Sequence, residues 1–131
     1  RADRNWVTEE GLAYLWGNAY YTDPKGEMIP QNRLVIALKA YVAKSPKVDL
    51  YTLFINDPMI FPEIAPEASV RSVLAGIIAK EVEQTQGMEG ILKLINAGRK
   101  NRMESFLLVT KELVGIDKSN FNQRVSGLLN Q

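Results

Sequence analysis

Glu9 and Glu10 stand side by side behind Trp6-Val7-Thr8 and are followed by Gly11, Leu12, Ala13 and Tyr14. A carboxylate can ligate a metal or move a proton, and few other groups in this chain can do either. There is no His and no Cys. The first absence removes the commonest general base at neutral pH and the commonest metal ligand. The second removes thiol nucleophiles, thiolate metal sites and disulfides, and it suits an oxidising or a reducing compartment equally. A Ser-His-Asp triad, a Cys-His pair and a His-based zinc site are therefore impossible within these 131 residues. Carboxylate, Lys, Tyr and Arg chemistry is what remains.

At about 100° per residue, Leu12, Leu15, Trp16 and Ala19 share one face of a helix, and Glu10, Tyr14, Gly17 and Tyr21 share nearly the opposite face. Gly11, Ala13 and Gly17 would let another element approach closely enough for Glu10 to reach what that element carries. The plainer alternative is that Glu9 and Glu10 are helix-start acids favoured by the dipole. Other candidates carry less. Glu81 lies within an apolar arc near the end of a long helix, where solvation or a neighbouring Lys or Arg accounts for it. Glu63 and Glu67 flank a proline-rich turn. Tyr41 and Tyr51 sit in no motif. The cluster Arg99, Lys100 and Arg102 lacks interleaved aromatics and reads as a complement to the preceding helix C-terminus.

The elements that position these residues read as helices from end to end. Thr8, with two acids after it, caps a helix that runs to about Tyr21, where Thr22-Asp23-Pro24-Lys25-Gly26 turns the chain and a loop continues to Pro30. Further helices are expected from Gln31 to about Lys44, stopped by Ser45-Pro46, and from Leu50 to about Ile55, capped by Asp49. The longest runs from Pro66 to about Gln86 and stops at Gly87; Met88 to Asn96, Arg102 to Val114 and Ser119 to Leu129 follow. The one extended piece expected is Asn5-Trp6-Val7. The fold class is all-α, a compact array of about seven helices with short loops. Its expected core is Leu12, Leu15, Trp16, Leu38, Leu74, Ile77, Ile78, Leu92, Ile95, Phe106, Val109, Phe121, Val125 and Leu128.

The segment Trp6-Val-Thr-Glu-Glu10-Gly11-Leu12-Ala13 opening a helix resembles the segment of gluzincin metallopeptidases, the peptidase MA-like group, that supplies their third zinc ligand. Val70-Arg-Ser-Val-Leu-Ala-Gly-Ile-Ile-Ala-Lys-Glu-Val, Gly90-Ile-Leu-Lys-Leu-Ile, Ser105-Phe and Glu112-Leu-Val-Gly-Ile-Asp resemble the helices that follow it there. The resemblance implies that Glu10 is a metal ligand and that zinc is the cofactor of the full-length protein. The family's His-Glu-x-x-His helix is missing, since there is no His. On this reading residues 1–131 form a single helical domain, a C-terminal fragment of a longer chain. It would supply one wall of the substrate cleft, its partners being the absent N-terminal catalytic half and a peptide substrate. Alone it binds no cofactor and is inactive. The resemblance also implies a bacterial cell-envelope or secreted protein. Glu10 is then accessible, with no Lys or Arg paired to it, and Tyr14 and Tyr21 form an exposed apolar patch able to drive self-association.

Composition bounds the alternatives. Hydrophobic residues make up 46% and charged residues 24%, with a formal charge of +1, which describes a globular domain rather than a disordered one. That balance supplies no field for nucleic acid, and no run of about 18 apolar residues spans a bilayer. Composition alone favours a different class, a non-catalytic helical module that binds another protein.

Overall fold

The computed structural model describes residues 4–17, 21–22, 25, 28–29, 33–61, 68–98 and 101–131, and of residues 14–17, 21–22 and 28–29 the backbone alone. Among the described residues, six helices and one small hairpin follow in the order α1 (Trp6–Gly17), β1 (Tyr21–Thr22), β2 (Met28–Ile29), α2 (Arg33–Lys44), α3 (Leu50–Asn56), α4 (Val70–Ile95), α5 (Arg102–Val114) and α6 (Phe121–Leu129). The all-α expectation holds. About seven helices were expected because Gly87 reads as a stop. Gly87 does leave helical backbone there, with φ 69° and ψ −162°, a conformation open to glycine, so α4 is two helical segments joined at a kink under one label.

α4 organises the rest. From Val70 to Ala79 every residue except Arg71 is buried. A helix that is apolar on all sides must be surrounded, and α1, α2, α3, α5 and α6 all pack on it. Four aromatic rings cluster in this core: Phe54 lies 5.2 Å from Phe121 and 5.8 Å from Phe106, centroid to centroid, with Tyr51 edge-on to Phe121.

Local chemistry accounts for the element boundaries. Asp49 caps α3 as expected, accepting from the Tyr51 amide at 3.2 Å and the Thr52 hydroxyl at 2.8 Å. Gly115 ends α5 in the left-handed region. α4 begins at Val70 rather than Pro66, because Ser69 is its cap and accepts from the Ser72 amide at 3.1 Å. Asp57 seals the same end, accepting from the Ser69 hydroxyl and the Arg71 amide. Arg71 reciprocates by donating to the Phe54 and Ile55 carbonyls at the end of α3. α6 begins at Phe121 rather than Ser119, because the Asp117 carboxylate binds the Ser119 amide and hydroxyl and holds a turn there.

Three expectations at the N-terminus are corrected. The helix starts at Trp6, not Thr8, because the Asn5 side chain accepts from the Val7 amide at 3.0 Å; Asn5-Trp6-Val7 is therefore not extended. Thr8 instead is fully buried and donates to the Leu94 carbonyl. α1 ends at Gly17, ahead of Tyr21, which belongs to an antiparallel pair with Ile29; Thr22 pairs with Met28. β-prone residues flanking an Asp-Pro-x-Gly sequence favour that hairpin over a longer helix.

Four core expectations also change. Leu92 is 52% exposed, because beyond the Gly87 break it is Gly90, Ile91 and Leu94 that face inward. Ile95, Val109 and Leu128 are half-buried at the margin of the core. The other described members, Leu12, Leu38, Leu74, Ile77, Ile78, Phe106, Phe121 and Val125, are buried. Leu15 and Trp16 as side chains, and Ala19, lie outside the described residues, as do Glu63, Glu67, Arg99 and Lys100. No described helix is long and apolar enough to cross a membrane.

The acidic caps give stability a pH dependence. Hydrogen bonds from Thr52 and Asn122 hold Asp49 below its ordinary value of 3.8, and the Ser119 hydroxyl does the same for Asp117. A carboxyl lowered on folding contributes its stabilisation above the unfolded value and loses it as pH falls through the folded one. Asp49→Asn, which retains a capping oxygen, should fall slightly below the wild type in thermal melts at neutral pH. The gap should close as pH drops below 3.8. A gap that does not change with pH would count against this account.

Candidate functional site around Glu10

The N-terminus of α1 is tied to the far end of α4 by groups that helices leave unpaired. The Asn5 amide donates to the Ile95 carbonyl at 2.6 Å, and its side chain donates to the Gly98 and Arg102 carbonyls at 2.8 and 2.9 Å. The Asn5 amide on Ile95 and the Thr8 hydroxyl on Leu94 thus engage two of α4's last carbonyls, while the Asn5 side chain ties down the chain beyond it. Of the basic cluster expected in that role, Arg102 is the described member, and its guanidinium stacks over Trp6, 4.3 Å from the ring centroid.

On this anchored turn the two neighbouring acids have different surroundings. Glu9 pairs with Arg4, as a helix-start acid commonly does. Glu10 is exposed, and no Lys or Arg among the described residues forms an ion pair with it. Its one described partner is Ser72, whose hydroxyl donates to Oε2 at 3.3 Å across the α1–α4 interface. Ser72 is itself 1% exposed.

Gly11 explains how α1 comes so close. A Cβ placed there would lie 2.7 Å from the Gly76 nitrogen and 2.9 Å from the carbonyl carbon and Cβ of Ala75. A small residue beside Glu10 does admit another element closely, and that element is this chain's own α4. Val7, Thr8, Gly11 and Leu12 form the buried stripe of α1, while Ala13 is exposed. The tyrosine patch expected at Tyr14 and Tyr21 concerns side chains outside the described residues.

As a metal site this arrangement offers a single ligand. Among the described residues no three of His, Cys, Asp and Glu gather closely enough to hold an ion. Two other described candidates, Glu81 and Tyr51, line cavities to which Glu10 does not contribute. Glu81 is half-buried in the wall of a cavity of about 220 Å³ that Lys39 and Lys80 also line. Tyr51 lines an open groove of about 750 Å³ with Leu107, Leu108 and Lys118, beside the turn after α5. Ser72 was not singled out from the sequence; its signal is a lone hydroxyl in an otherwise apolar stripe, three residues after a capping Ser. No family model, curated protein or solved structure matches the chain.

Proposed function

We propose that this chain is the C-terminal helical part of a gluzincin-type zinc metallopeptidase, with Glu10 as the third zinc ligand and α1 as one wall of the substrate cleft. The observation that carries the reading is the contrast between adjacent acids: Glu9 is neutralised by Arg4, while Glu10 is exposed and, among the described residues, held by a hydroxyl alone. A carboxylate kept for a cation is oriented by neutral donors, whereas a structural carboxylate is normally matched by a local charge. The Glu-Gly-Leu-Ala sequence fits the same role, since Gly11 seats the ligand-bearing turn against α4.

One carboxylate fits a shared site and not an isolated one, because catalytic zinc takes three protein ligands. Bound zinc lowers the pKa of its water to about 7 and polarises the scissile carbonyl. This chain's part is to present one anionic oxygen pair from a rigid turn. The other ligands and the general base would come from a His-Glu-x-x-His helix N-terminal to Arg1.

Two measurements test the reading. In calorimetry the 131-residue chain should bind zinc no better than an exposed carboxylate does. Stoichiometric binding below about micromolar would overturn the shared-site account. In the full chain, Glu10→Gln should lower zinc affinity by more than about 100-fold, beyond the cost of losing an outer-shell partner. Since the substituted group is exposed, folding stability should move by less than about 0.5 kcal/mol. An unchanged zinc affinity, or a reading frame without His-Glu-x-x-His upstream, would refute the assignment.

A further inference from the structure

The geometry points to Ser72 as the positioning residue of the Glu10 carboxylate, an inference that rests on Glu10 being a zinc ligand. A Ser inside a helix ordinarily turns to solvent or returns its hydroxyl to the carbonyl four residues back. Ser72 is too deeply buried for the first, and its described donation leaves α4 altogether, to Oε2 of Glu10. Oε2 is thereby engaged, while among the described residues Oε1 accepts nothing.

The hydroxyl is itself set in place by a relay of bonds. The Asp57 carboxylate accepts from the Ser69 hydroxyl at 2.9 Å, and Ser69 Oγ accepts from the Ser72 amide at 3.1 Å. The Ser72 hydroxyl then donates to Glu10. Asp57 is held where α3 ends and α4 begins, with Arg71 tying the two helices together. A ligand on α1 is thus oriented by the first turn of the central helix. Ligating carboxylates are characteristically held by such outer partners, whose removal costs about 10–100-fold in metal affinity.

The test has two readouts. In the 131-residue chain, side-chain relaxation by NMR should show Glu10 ordered in the wild type and released in Ser72→Ala, with the Arg4-paired Glu9 unchanged. In the full chain, competition against a chromophoric chelator should show Ser72→Ala weakening zinc by about 10–100-fold, less than Glu10→Gln does. Zinc affinity lost in Glu10→Gln but untouched in Ser72→Ala would overturn the positioning role and leave the ligand standing. Affinity untouched in both would remove the ligand, and the positioning role with it. Equal disorder of Glu10 with and without the Ser72 hydroxyl would also overturn it, with no zinc present.

Discussion

Phe54→Ala should lower the unfolding free energy by about 3–5 kcal/mol, the range of a fully buried aromatic truncated to alanine. Phe54 is fully buried, and its ring touches Phe106 from α5 and Phe121 from α6. One side chain on the short helix α3 therefore joins two later helices. Truncation removes the transfer free energy of the ring and leaves a cavity between elements that are separately anchored on α4 and so poorly able to collapse into it. A domain of this size has about 5–15 kcal/mol in total, so the loss takes at least about a fifth of it, and the variant should melt more than about 10 °C lower. Phe54→Leu keeps most of the volume and should cost about 1.5 kcal/mol or less. Urea unfolding followed by far-UV circular dichroism measures both. A loss below about 1 kcal/mol for the alanine variant would mean that α5 and α6 are held by something other than this ring cluster.

What could be read from the sequence is what local chemistry decides. Asp49, Gly115 and the periodicity between Arg102 and Val114 mark helix ends within a few residues of themselves, and the structure places those ends there. The first helix was misjudged because its true cap is Asn5, whose other partners lie in residues 95–102, far along the chain. No local pattern distinguishes that Asn from a loop residue. Leu92 was misplaced for a related reason: the break at Gly87 shifts the inward stripe to Ile91 and Leu94, and its angle is not written in the residues around it. The candidate site divides along the same line. Glu10 stands out through its motif, but the group that holds it lies on another helix. Ser72 becomes its partner only once Gly11 has brought α1 against α4.

That dependence makes Gly11 the most direct link between fold and site, and substitution there should reverse the usual sign. Alanine in place of glycine inside a helix ordinarily stabilises by about 1 kcal/mol. At Gly127 in α6 a new Cβ would meet nothing within 4 Å, so Gly127→Ala should show a gain of about 0.5–1 kcal/mol. At Gly11 the same methyl would sit 2.7 Å from the Gly76 nitrogen and 2.9 Å from Ala75, where two of the three atoms met are backbone and cannot rotate aside. α1 would have to move off α4, straining the Asn5 and Thr8 bonds to the Ile95 and Leu94 carbonyls at the end of that helix. Overpacking of this kind costs about 1–3 kcal/mol, enough to exceed the propensity gain. The Ser72–Glu10 bond, already 3.3 Å long, would be lost with the movement, so Glu10 should show the same side-chain disorder as in Ser72→Ala. Thermal melts of the two glycine variants, paired with NMR of Glu10, are the check. A Gly11→Ala protein as stable as Gly127→Ala, with Glu10 still ordered, would mean that the close approach of α1 to α4 does not set the geometry of the carboxylate.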